Sequence, residues 1–276
     1  MIIRVRFGKE GALRFIGHLD VLRTFQKIFR RAEIPMVYSQ GFSPHPIMSF
    51  ALPLGVGLSS EGEYLDAEIE EEMTTDEILS RLRAATSDEL PVYAVRILPE
   101  KAGNAMASVG RAAYRLEIPA EYASAIAAAA EMLLAESSHI ISKKTKTQTV
   151  SFDLRPCIYE LACPLPDAEN NSSSCAEPCP LPDAGEGGCR RQPGEGGLHA
   201  SLFMTLAAGS KANVKPELVW EELCREAGLP DGTKPLSVRR LDLLTEEGVS
   251  LGMIGEKAEN NCPEHGDGLT SCKQKR

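Results

Sequence analysis

Across 276 residues the chain carries a formal net charge of −9, with 43% apolar and only 5% aromatic residues, enough for one large core or two ordinary ones packed mainly from aliphatic side chains. No apolar run reaches the length that spans a bilayer, and the first residues lack the basic, apolar, small-residue succession of a secretory signal, so a cytoplasmic setting with no membrane partner is expected. Eight cysteines in such a chain read as reduced thiols and not as a disulfide framework.

Residues 2–7, IIRVRF, alternate Ile3, Val5 and Phe7 with Arg4 and Arg6, predicting a half-buried strand with a basic exposed side. A helix is predicted from Gly17 or His18 to Ala32, with Leu19, Leu22, Phe25, Phe29 and Ala32 for burial and Arg23, Lys27, Arg30 and Arg31 on a neighbouring stripe. Pro35 ends it. Gly41, Pro44 and Pro46 then impose turns on SQGFSPHP, before a proline- and glycine-limited strand in MSFALPLGVG and a second strand in EYLDAEI. Thr74 or Thr75 caps a helix through Ala85, and PVYAVRIL (91–98) closes the series as a strand.

After a linker at 101–111 the same order recurs. AAYRLEI is a strand, Ala120 to Ala135 a helix rich in strong formers, and SHIISKK, TQTVSFDL and CIYELAC are extended. Residues 163–197, rich in Cys, Pro, Gly and Ser, read as an exposed or disordered insertion. LHASLFMTLAA, PELVWEELCREAG and KPLSVRRLDLL then supply strand, helix and strand, and 251–276 a flexible tail. The predicted fold is α+β: two ferredoxin-like (split βαβ) domains with antiparallel sheets, at 1–100 and 112–250, a pair that can enclose a cleft between its sheets. A small sandwich with helices yields the same element string.

Residues 1–60 hold eight Arg or Lys against three acids, a local basic field on an acidic body, which steers anionic partners. Arg14, Arg23, Lys27, Arg30 and Arg31 can clamp phosphates while Tyr38 and Phe42 stack on bases; a solvated helix face, or docking to an acidic protein, accounts for the same charges. Lys143, Lys144, Lys146 and Arg155 form a second basic patch, in which Asp153 and Arg155 share a strand face and can pair, or Arg155 can cross the domain interface. His18, Asp20 and His45 are the candidates for acid–base catalysis or metal binding, against a reading in which Asp20 interacts with the helix start and the histidines brace loops. Cys163, Cys175, Cys179 and Cys189 lack the paired spacing of a zinc ribbon or of an iron–sulfur run, and CPLPDA occurs twice among them, as a local duplication would leave it. Cys157, Cys224 and Trp220 read as packing residues, and no cofactor is expected.

RFIGHLD, LRTFQKIFRRAEIP, YSQGFSPHPIMSFALPLGVG and GEYLD together resemble the radical-SAM-associated, or radical-SAM-linked, bacterial proteins, a domain of unknown function found alone or attached to radical-SAM enzymes. KKTK, FDLRP and LAAGSKANVKPELVWEEL extend the resemblance into the second half. It implies a cytoplasmic accessory or substrate-handling protein for a radical-SAM partner, acting in RNA modification or processing. The Cys-x-x-x-Cys-x-x-Cys motif of the enzyme itself is absent. RRAEIPMVYSQGFSPHPIMSFALPLG is also distantly similar to the repeat-RNA processing endonucleases of CRISPR systems, which use paired ferredoxin-like domains. The leading expectation is therefore an RNA-binding or substrate-presenting accessory protein. A metal-independent RNA-processing endonuclease using His18 or His45, and a protein-docking or structural metal-binding module, are the alternatives.

Overall fold

A computed structural model describes residues 1–99, 103–144, 149–164 and 199–255. The chain is a mixed α/β protein with a mostly antiparallel sheet. Its first half runs β1 (Ile2–Lys9), α1 (His18–Arg31), β2 (Met48–Phe50), β3 (Ser59–Glu68), α2 (Thr75–Ala85) and β4 (Val92–Ile97). Strand order is β4-β1-β3, with β2 on the far side of β3. The strand expected over MSFALPLGVG is only three residues long, because Pro53 has no N–H for the ladder and Gly55 and Gly57 follow it. Thr74 caps α2, its Oγ1 accepting from Glu77 N at 3.2 Å.

After a short α3 (Ala105–Ser108), the second half runs β5 (Arg111–Pro119), α4 (Ala120–Ala135), β6 (Ile140–Lys144), β7 (Thr149–Asp153), β8 (Ile158–Ala162), β9 (His199–Ala207), α5 (Pro216–Glu226) and β10 (Ser237–Leu244). The order β10-β5-β9-β8 reproduces that of the first half strand for strand, and β6-β7 forms a separate hairpin. Most of the expected insertion, from 165 on, and the tail from 256 on lie outside the described residues. The 3-10 turn Leu251–Met253, in the segment expected as tail, buries Leu251.

One sheet runs through both halves, so the pictured cleft between two sheets is not how they meet. β10 lies between β5 and β3, antiparallel to the first and parallel to the second through Arg239↔Ser59 and Arg240↔Ser60. Gly62 permits that approach: a Cβ there would sit 2.2 Å from the Leu241 carbonyl oxygen and 2.5 Å from Asp242 Cα, closer than any side chain tolerates.

Each half has its own core. Ile3, Val5, Phe7 and Leu65 pack against Val21, Phe25, Ile28 and Phe29 of α1 and Ile78 and Leu82 of α2. Tyr114, Leu116 and Ile118 pack with α4 and α5, where Trp220 is buried and donates from Nε1 to Thr233 O at 2.8 Å. The other face of β1 is covered too, correcting the expected exposed basic side. Arg4 is 1% exposed and chelates Asp66 at 2.7 and 2.9 Å, while Asp66 also accepts from Ala105 N of α3 at 2.8 Å. A buried guanidinium requires such a partner, and the supposed linker helps to roof it. Among the described residues no helix is long and apolar enough to cross a membrane.

Candidate nucleic-acid interface

The outward face of α1 follows from the phase of its buried stripe. Val21, Phe25, Ile28, Phe29 and Ala32 face the sheet, with Leu22 half-buried against the same core, and this phase rotates Leu19 outward to 63% exposure, against the expectation that it points inward. Arg23, Lys27, Arg30 and Arg31 are exposed. Arg23 pairs loosely with Asp20 at 3.4 Å, a surface contact of little energetic weight. Arg31 Nη2 donates to Ala85 O at 2.8 Å, tying α1 to the end of α2. No hydrogen bond or ion pair among the described residues engages the side chains of Lys27 and Arg30, which leaves both cations available. Arg14 lies over the exposed Phe15 ring at 4.7 Å.

Beyond α1, Glu33 adopts φ +53° and Ile34 N bonds back to Phe29 O at 3.2 Å, sending the chain into a narrow finger. Bridges Met36↔Ile69 and Tyr38↔Pro46 form its base. Ser39 and His45 close it: Ser39 N donates to His45 O at 2.9 Å, His45 N to Ser39 Oγ at 3.1 Å, and the two side chains meet at 2.9 Å. Gly41, at φ +123°, turns the tip, where Phe42 is fully exposed. Between finger and helix lies an open groove of about 360 Å³ whose lining includes Gln26, Arg30, Glu33, Met36, Tyr38 and Glu70. A cation, a half-exposed phenol ring and two carboxylates thus border one depression.

His18, Asp20 and His45 do not converge on one another. The His18 ring stands edge-on to Phe50, centroids 5.0 Å apart; Asp20 is on the surface with Arg23; His45 is held by Ser39 and by Ser43 O at 3.3 Å. His18 instead borders a small cavity with Phe7, Lys9, Phe50, Leu54 and Glu63. Lys9 and Glu63 line it, and Arg240 holds Glu63; none of the three stands out as a site residue in the sequence. Lys9 and Arg240 are each 2% exposed; Arg240 grips Glu63 in bidentate fashion and donates to Leu52 O at 2.8 Å. Burial, opposed in part by Glu63, lowers the Lys9 pKa. On its strand face Glu63 follows Glu61 and precedes Leu65, so nothing local sets it apart.

Of the second basic patch, the structure describes the side chain of Arg155. Lys143 and Lys144 end β6, Lys146 lies outside the described residues, and Arg155 is turned to the fold. Its Nε and Nη2 donate to Leu134 O at 3.3 and 3.1 Å and its Nη1 to Ile158 O at 3.0 Å, satisfying a carbonyl at the end of α4. Asp153 takes no side-chain bond from Arg155; it accepts from Ser138 Oγ and from the His139 and Arg155 backbone amides at 2.8, 2.9 and 3.1 Å. The Cys163 thiol points at Ala123 O, 3.7 Å away, and burial raises its pKa, which favours the thiol over the metal-binding thiolate. Cys175, Cys179 and Cys189 lie outside the described residues. Among the described residues no cluster of three or more His, Cys, Asp or Glu is arranged to hold a metal ion.

Residues 3–216 match a family described as uncharacterized protein conserved in bacteria, DUF2344. Comparison with curated proteins finds no match.

Proposed function

The chain belongs to the DUF2344 family of bacterial proteins, and we propose that it is an RNA-binding accessory protein that presents its substrate to a radical-SAM enzyme. The observation that carries the RNA part is that Arg30 and Tyr38 border one groove, with Lys27, unpaired among the described residues, on the same helix and the bare Phe42 ring on the finger. Phosphates are drawn to Lys27 and Arg30, bases stack on Tyr38 and Phe42, and Glu33 and Glu70 accept from exocyclic amino groups. The repeated strand order of the two halves supports reading them as paired ferredoxin-like units, and the motif resemblance supports the radical-SAM partner. The separate partners of His18, Asp20 and His45 favour binding over chemistry at this surface.

Fluorescence anisotropy with single-stranded and hairpin RNAs tests the RNA part. Binding is expected to weaken steeply with salt and to fall at least tenfold in a Lys27→Gln/Arg30→Gln double variant; equal affinity in that variant removes the reading. Co-purification from nuclease-treated lysate tests the other part, a radical-SAM enzyme being the expected companion.

A further inference from the structure

β1 ends with its last side chain directed inward. Lys9 is 2% exposed, and its ammonium donates to Ile16 O at 2.8 Å. This is one acceptor for three N–H groups, and no other acceptor engages Nζ among the described residues. Its neighbour Glu63 is already occupied, by the bidentate Arg240 and by Ser60 Oγ at 2.5 Å. Lys9 and Arg240 set against Glu63 leave one positive charge in excess, in surroundings where an uncompensated ion costs several kcal/mol. The Lys9 side chain borders a cavity of about 20 Å³ whose lining also includes His18, Leu54 and Glu63. The N-terminus of the 14-residue α1 begins at the same place, and its Gly17 cap supplies no side-chain acceptor.

We propose that this cavity is a carboxylate subsite, in which a small carboxylic acid places its two oxygens against Lys9 Nζ and the His18 ring. The volume sets the class. Room for roughly one or two water-sized atoms admits the oxygens of a carboxylate and excludes the four of a phosphate. The bound anion supplies the missing acceptors of Lys9 and neutralises the surplus charge. RNA carries no carboxylate, so this subsite and the RNA groove stand or fall separately.

The probes are formate and acetate, titrated at constant ionic strength against the full chain with isotopically labelled histidine. Both are expected to move the His18 imidazole signals saturably, with inorganic phosphate and chloride without effect. Lys9→Met is expected to abolish the shift, and the remaining histidine signals report whether that variant is folded. Leu54→Trp, which fills the cavity from its Leu54 wall and leaves Lys9 in place, is expected to abolish it as well. Absence of a saturable shift, an equal response to phosphate, or persistence of the formate response in either folded variant overturns the proposal.

Discussion

Arg240 of β10 holds Glu63 of β3 through Nε to Oε1 at 2.7 Å and a second contact from Nη2 to Oε2, joining side chains separated by 177 residues of chain. Both are nearly sealed from solvent. Breaking a buried pair from one side strands the other charge at about 3–5 kcal/mol, whereas replacing both partners by apolar groups is commonly close to neutral. Urea unfolding should therefore show Arg240→Met losing about that amount and Arg240→Met/Glu63→Leu regaining most of it. A double variant as unstable as the single would show that the pair is not the unit of stability here.

Gly62 makes a backbone prediction at the same junction. Alanine in place of glycine ordinarily gains about 0.5–1 kcal/mol in a strand. Here its Cβ would meet the Leu241 carbonyl at 2.2 Å, and overpacking of that kind costs about 1–3 kcal/mol. Gly62→Ala is thus expected to destabilise, with faster amide exchange concentrated in Ser59–Ser60 and Arg239–Asp242. A stabilised variant would contradict the close packing.

His139 bridges two carboxylates, Nδ1 to Glu136 Oε2 at 2.7 Å and Nε2 to Glu222 Oε2 at 3.3 Å, with Arg225 also paired to Glu222. Burial lowers its pKa, but the hydrogen bonds and charges of the two glutamates outweigh this and hold it above the usual histidine range. A raised folded pKa means that the protonated ring stabilises the fold. The contribution is complete below the unfolded pKa of about 6.5, while Glu136 and Glu222 remain ionised, and is lost as pH rises through the folded value. Melting temperature followed from pH 5.5 to 8.5 should decline for the parent chain relative to His139→Gln. Parallel profiles would exclude the linkage.

For the groove, Phe42 separates binding from folding. Its ring is fully exposed, so Phe42→Ala should leave the melting temperature unchanged while weakening single-stranded RNA binding by about 1–3 kcal/mol, the usual weight of one stacked base. Lys27→Gln should lower the slope of log affinity against log salt by about one. Unchanged binding in both variants would place the RNA elsewhere.

The regular elements were readable because their periodicities are local. Ala120–Ala135 was bounded correctly by its strong helix formers, and the strand expected over AAYRLEI lies within β5. Arg4 was misplaced for the converse reason. Alternation assigns it to solvent in a two-layer unit, and the segment that roofs it, at Ala105–Ser108, carries too little periodic signal to announce a third layer. Apolar character alone puts Leu19 inward, whereas the helical phase of the buried series 21, 25, 28, 29, 32 places it outside. In the candidate site, the charges of α1 and the aromatics of the finger were visible as residue types, whereas the meeting of Arg30 with Tyr38 depends on the Glu33 turn. Glu63 and Arg240 had no local signature, since neither is anomalous until β10 is laid beside β3.

Translation order gives that placement of β10 a consequence. The strands of the first half all precede β5 in the chain, but the strand that docks on Ser59 and Ser60 also completes the second half and emerges only with residues 237–244. Until then β3 and β5 each present an unfilled edge to the nascent chain, and the two halves have no shared ladder. The ladder that joins the halves can form only once residues 237–244 are made, because β10 is the strand that pairs with both β3 and β5.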